Sequence, residues 1–301
     1  MGSFRWQPYW AFYGSGKCRT ESANGFDDKR PKQQEIVLVR KAIILSLAVL
    51  TLGAGAFAAT DIIPCAVGNK WQYDCYKTFV GKVVFQGKTM ASMKDASFGS
   101  SVYEVLSVDK SAQPVYEYRE SSKTASSTGG TDIDDQTDLK LVNDDTGQRI
   151  LSTYQTASSM DKPDKQDYNP PLLYYVRNAA PGKEWTVGTM RDEDTSSPLA
   201  AKAVGRETVT VPAGTFKDCL KVIYFSESIS GTVEVWQKQF TITAGRSRGV
   251  YWIADGVGVV KELEIATSTA ETTGPDGKSP LTIDSAQCSV SELRPGFIVK
   301  K

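Results

Sequence analysis

Residues 209–222 read VTVPAGTFKDCLKV, and residues 251–261 read YWIADGVGVVK. Each is a strand, a turn and a second strand. In the first, Pro212 sets φ for the second position of a turn and Gly214 stands at the fourth, as a type I turn asks. Thr215 and Phe216 then restart an extended segment rich in Val, Ile, Tyr and Phe that runs to Phe225. In the second, Gly249 to Ala254 meets Val257 to Ile265 through Asp255-Gly256, the strongest hairpin signal in the chain.

Working outward, Trp71 to Tyr76 alternates and leads into Phe79–Phe85. Val102–Val108, Val115–Arg119 and Val233–Thr243 are further candidates. Leu139–Val142 and Ile150–Tyr154 flank Asp144-Asp145-Thr146-Gly147, a good hairpin connection. Helical periods are scarce. The pattern predicts a mostly β fold, a single curved antiparallel sheet or half-barrel with hairpin connections and few helices. Trp71, Trp185, Trp236 and Trp252 each lie in or beside a candidate strand and are expected in the core. Ser121–Asp138, rich in Ser, Thr, Gly and Asp, reads as a flexible loop over 121–138. Glu271–Pro280 reads as a second over 271–280. No domain boundary stands out, so 59–301 reads as one β-rich domain.

Val39 to Ala58, VRKAIILSLAVLTLGAGAFA, has the order of a secretory signal peptide: Arg40-Lys41, an apolar run, then Ala56-Phe57-Ala58 for cleavage. An exported protein, periplasmic or secreted, beginning near Ala59 is expected, with no stable membrane span after cleavage. Residues 1–38 show no sustained apolar period and read as an upstream extension, with Val39 as the start. The alternative is a membrane anchor with a short cytoplasmic head, for which the apolar run is near the lower length limit. Of 35 basic and 35 acidic residues, 8 and 4 precede Ala59, which leaves 27 and 31. That acidic balance speaks against a nucleic-acid partner.

Four cysteines follow the signal: Cys65, Cys75, Cys219 and Cys288. In an exported chain they read as two disulfides, and three pairings can be drawn. Cys65–Cys75 and Cys219–Cys288 are the pairs expected, because Cys65 and Cys75 flank the turn-like Gly68-Asn69 and Cys288 sits in a late strand that can return beside Cys219. No Cys-x-x-Cys occurs and the chain has no histidine, so neither a zinc site nor a cofactor is expected.

Other motif-like strings have plainer readings. Gly245-Arg246-Ser247-Arg248-Gly249 has the spacing of a hydrolase elbow but strand-like flanks and no histidine base. Ser107-x-x-Lys110 and Ser159-x-x-Lys162 lack their companion motifs. Asp132, Asp134, Asp135 and Asp138 have Thr137 and Asn143 where a calcium loop needs glycine and glutamate. Tyr168, Tyr174 and Tyr175 around Pro170-Pro171 could line a ligand mouth. No catalytic residue is expected.

The strings 209–222 and 251–261, with Val67-Gly68-Asn69-Lys70-Trp71-Gln72-Tyr73 and Pro181-Gly182-Lys183-Glu184-Trp185 upstream, resemble a family of exported bacterial proteins of unassigned function. That family is TapB-like and related to the LolA-like half-barrel domains. The resemblance covers roughly Val67–Glu264 and implies a curved antiparallel sheet and an envelope location, with no catalytic residues to transfer. The resulting expectation is a non-enzymatic envelope protein that binds a lipophilic molecule or an envelope protein on the concave face of its sheet. The alternatives are a structural component of an envelope assembly and a hydrolase working with carboxylates alone, for which no spacing singles out a pair.

Overall fold

The computed structural model describes residues 63–109, 111–126, 133–157, 162–191, 194–235 and 238–300. The expected upstream extension and signal peptide, Trp236, Lys110, Asp132 and Ser159 lie outside these residues. Among the described residues there is no helix. Thirteen strands make one antiparallel sheet: β1 Lys70–Phe85, β2 Lys88–Val108, β3 Val115–Ser126, β4 Ile133–Asn143, β5 Gly147–Ala157, β6 Asp164–Val176, β7 Glu184–Arg191, β8 Thr195–Val211, β9 Gly214–Ser226, β10 Ser230–Val235, β11 Lys238–Ala254, β12 Gly258–Thr273 and β13 Pro280–Leu293. Their order is β10-β8-β9-β11-β12-β13-β1-β2-β3-β4-β5-β6, with β7 paired to β8. The C-terminal strand β13 therefore lies between β12 and β1 and joins the two halves of the chain.

Long-range hydrogen bonds show how far this sheet rolls. Nine strand steps separate β9 from β6, about 43 Å in a flat sheet. Yet the Tyr224 hydroxyl on β9 donates to the Tyr174 carbonyl on β6 at 2.6 Å. The two ends of the sheet meet at β6 and β7. There the Trp185 indole N–H donates to the Leu173 carbonyl at 3.1 Å, and the Leu172 side chain covers Gly188 so closely that a Cβ would lie 2.5 Å from it. No ladder joins β6 to β7, so the sheet is rolled but not closed into a barrel. Side-chain donors satisfy edge carbonyls that a closed barrel would satisfy with backbone.

The hairpins form where the turn chemistry places them. Pro212-Ala213 links β8 to β9, and Asp255-Gly256-Val257 links β11 to β12, with Gly256 at φ 71°. Trp71 and Tyr73 on β1 pin the second turn: the indole N–H donates to the Val257 carbonyl at 2.6 Å and the phenol to the Val259 carbonyl at 2.7 Å. Around them packs the main core, including Val105, Leu172, Leu220, Val222, Tyr251, Ile253, Val260 and Leu293. A smaller apolar cluster holds Val83, Ile229, Phe240, Ile242, Ala270 and Ile283.

Several expectations are corrected. The segment 121–138 is mostly strand, in β3 and β4, paired from Lys123↔Asp134 through Arg119↔Asp138. Its Ser and Thr residues read as loop by composition, but Ser122 and Thr124 are buried, because the inner face of the sheet is polar here. The segment 271–280 is loop only over 274–279: strand β12 runs to Thr273 and β13 begins at Pro280, and in the connection Asp276 accepts from the Lys278 and Ser279 amides at 2.9 and 2.8 Å. Trp71 and Trp185 are buried, but Trp252 is only half-buried on the outer face, between the Lys221 and Lys261 ammonium groups.

Neither expected disulfide is present. Cys219 on β9 and Cys288 on β13 are separated laterally by β11 and β12, about 14 Å, and a bridge needs Cα atoms within about 7 Å. The Cys65 sulfur instead accepts from the Tyr118 hydroxyl at 2.9 Å and the Asn143 amide at 3.2 Å. The Cys75 thiol sits between the Ser101 and Ser291 hydroxyls at 3.4 and 3.7 Å.

Candidate functional site

Strand alternation fixes what the concave face presents. On β1 the inward residues are Trp71, Tyr73, Cys75, Lys77, Phe79, Gly81, Val83 and Phe85. The ladders then place Ser291 and Ser289 of β13 beside Cys75 and Lys77, and Gly99 and Ser97 of β2 on their other side. Continuing outward, Glu262 and Glu264 of β12 stand opposite Ser291 and Ser289, and Tyr251 of β11 stands opposite Glu262. Small residues thus floor the middle of the trough, and carboxyl, ammonium and phenol groups wall it. Along the strands this polar belt lies between the aromatic core at one end and the Val83–Phe240 cluster at the other.

The belt is chemically coupled. The Tyr251 hydroxyl donates to Glu264 at 2.7 Å and lies 3.2 Å from Glu262. Ser289 adds a longer bond to Glu264 at 3.4 Å. Tyr103 stands beside Glu120 of β3, and Tyr174 of β6 beside Tyr251. Burial, with the Glu120 charge across the trough as the second cause, raises Glu262 to about 8, and burial alone raises Glu264 to about 8. Burial likewise takes Glu120 to about 7 and Asp135 on β4 to about 6. Lys77 is the belt's cation, and burial lowers it to about 8 against the pull of Asp135 and Glu120. Burial also raises the Cys75 thiol, and the two neighbouring serine hydroxyls partly offset this. Such an interior holds a proton inventory that changes near neutral pH.

The sequence-predicted residues are dispersed. Ser247 of the G-x-S-x-G string is a buried residue in mid-β11, not on an elbow. Ser107 donates to Glu117 at 2.6 Å. Asp134 pairs with Lys123, and Asp138 pairs with Arg119 through two bonds, so the acidic string does not converge. No group of three or more metal-ligating side chains occurs among the described residues. Of the tyrosine trio, Tyr174 reaches the belt, whereas the Tyr168 hydroxyl meets Thr153 at 3.4 Å. The carboxyl pair that spacing did not single out is Glu262 and Glu264. Residues i and i+2 of a strand share a face, which is the signal that could have found them.

From residue 82 to residue 273 the chain matches a protein family of unknown function, DUF3108. The chain belongs to that family. No curated protein matches. A solved structure, of a "putative lipoprotein" from Parabacteroides distasonis ATCC 8503, is 16% identical. That match covers 79% of this chain and 99% of the other, with a TM-score of 0.32. The family accounts for the unassigned-function part of the resemblance read from the sequence.

Proposed function

We propose that the protein is an exported, non-enzymatic binding protein of the cell envelope. Its rolled sheet works in the manner of a LolA-like half-barrel, and the concave face takes one amphiphilic molecule. The observation that supports this reading is the order of chemistry along one continuous inner face. The Glu120–Lys77–Glu262 belt suits a neutral or cationic polar head. Phe79, Met93 and Val83 follow directly along the same face and suit an apolar tail running toward the second cluster. The signal-like segment 39–58 supports the envelope location.

The test is a titration with dansylated decylamine, read by energy transfer from the tryptophans. Saturable one-to-one binding is expected, weakened at least tenfold by Met93→Lys with an unchanged thermal melt. Non-saturable binding, or equal affinity in the variant, contradicts the reading.

A second reading, a component of an envelope assembly, is favoured by the opposite face. Leu263, Val290, Tyr76 and Phe98 are register neighbours on four adjacent strands, all pointing outward. Tyr76 and Phe98 are 40% and 60% exposed, their rings 4.8 Å apart. Charged rows bound this band, with Lys261, Glu292 and Asp74 on one side and Asp284 and Lys82 on the other. An apolar band with a polar rim marks a protein contact. A photo-crosslinker at residue 98 that captures one defined protein, with no amphiphile bound, would select this reading.

A further inference from the structure

The sequence keeps the two edges of the rolled sheet from zipping together. On β6, Tyr168 through Pro171 stand between the Asp167 and Leu172 pairs with only Leu151 of β5 opposite them. Pro170 and Pro171 also have no amide to offer a neighbouring strand. On β7 the ladder to β8 slips at Gly188, a bulge on an edge strand. The two backbones nevertheless come close: a Cβ on Gly188 would lie 3.8 Å from the Leu172 Cα. Side chains make the contact where backbone pairing is prevented.

Those side chains act as catches. The Trp185 indole donates to the Leu173 carbonyl at 3.1 Å, and the Tyr224 hydroxyl to the Tyr174 carbonyl at 2.6 Å. The Tyr174 and Tyr224 rings stack, centroids 5.3 Å apart. On its other side Tyr224 meets Tyr251 edge to face at 4.9 Å, and the Tyr251 hydroxyl donates to Glu264 of the belt. A gap at the seam therefore leads to the belt.

Other boundaries of the trough are held more firmly. Neighbouring strands from β6 back through β1 to β8 and β7 are joined by backbone ladders. Beyond Trp71, segments 63–70 and 294–300 lie together. Lys70 and Ile298 exchange two backbone bonds at 2.8 Å, the Lys300 amide donates to Asn69 at 2.7 Å, and Phe297 and Val299 pack on the core. The β6–β7 connection is anchored on both sides, with the Arg177 amide on the Thr146 carbonyl and the Gly182 amide on the Ala203 carbonyl, each at 2.8 Å. It serves as the pivot.

We propose that the β6–β7 seam is the lateral portal of the trough, with Trp185 and Tyr224 as its catches. Each catch is one neutral hydrogen bond to a carbonyl, and water takes its place when the seam parts, so opening breaks no ladder. What passes through rests on the binding reading; the opening itself needs no ligand.

Cys75 reports on the opening. Its thiol points into the trough, whereas Cys288 lies on the outer face opposite Thr78 and Cys219 is fully buried. N-ethylmaleimide labelling of the full chain is followed at each cysteine by peptide mass spectrometry. Tyr224→Phe keeps the ring and removes the catch. Its Cys75 should label at least fivefold faster than in the wild type, with Cys219 and Cys288 unchanged. Trp185→Phe, which frees the other catch, should act in the same direction. In stopped flow, dansylated decylamine should enter Tyr224→Phe at least fivefold faster. An unchanged Cys75 rate in both variants overturns the portal, even where the amphiphile binds. So does an acceleration shared by Cys219, which marks general unfolding. Faster labelling with an unchanged association rate overturns the seam as the amphiphile's route. Faster labelling with no amphiphile bound by any of the proteins overturns the binding reading and leaves the portal standing.

Discussion

Replacing Glu264 by Gln should flatten the dependence of stability on pH. Glu264 is only 5% exposed, and its carboxyl is raised from 4.5 to about 8 by burial. A group whose folded-state pKa lies above its unfolded value contributes its full stability below the unfolded value. It loses that contribution as pH rises through the folded value. The window therefore runs from about 4.5 to about 8, with stability falling throughout. At roughly 1.4 kcal/mol per tenfold change, the loss for this one carboxyl is on the order of 5 kcal/mol. That is comparable to the whole stability of a small domain, about 5–15 kcal/mol. Glu262 and Glu120 act in the same direction. Lys77 acts oppositely: lowered from 10.5 to about 8, it stabilises at high pH and loses this as pH falls through 8, so it leaves the lower window to the carboxyls. Gln keeps an oxygen for the Tyr251 donor and cannot ionise. Urea unfolding at pH 5, 6.5 and 8 should show a steep fall in the wild type and a shallower one in the variant. Equal slopes, or a wild type that gains stability from pH 5 to pH 8, would refute the reasoning.

Three further outcomes are expected. Leu220→Ala, at a side chain 1% exposed in the main core, should cost about 2–5 kcal/mol by urea denaturation. Gly147→Ala should loosen the β5–β6 pairing, because its Cβ would fall 1.8 Å from the Tyr175 carbonyl oxygen; faster hydrogen exchange in 147–157 checks this. Peptide mapping without reductant should recover Cys75 and Cys219 as thiols, and a Cys65–Cys75 or Cys219–Cys288 bridge would contradict the sulfur environments described above.

The sheet was legible in the sequence because its turns are written in specific residues. Pro212-Ala213-Gly214, Asp255-Gly256 and Asp144 through Gly147 each fix a hairpin from local chemistry alone. The belt was not legible because its pattern is inverted. In Glu262-Leu263-Glu264 the usual rule turns leucine inward, yet Leu263 lies on the outer band and both glutamates line the trough. The same inversion hid β3 and β4, whose inward Ser122 and Thr124 read as loop residues. Nor could spacing reveal that Tyr174 on β6 meets Tyr224 on β9. That contact exists only because the sheet rolls until its ends touch, and the roll is a sum of small twists over many strands. The Cys219–Cys288 expectation failed because strand order puts β11 and β12 between them, and the Cys65–Cys75 one because Cys65, ahead of β1, is turned to Tyr118 and Asn143.

The central claim, that the concave face is a binding site, is tested most directly by native mass spectrometry of the protein isolated from the exported fraction. The account predicts a wild-type species heavier than the polypeptide by one amphiphilic molecule, and bare polypeptide mass for Met93→Lys. Bare mass in the wild type, or an adduct retained unchanged in Met93→Lys, would contradict it.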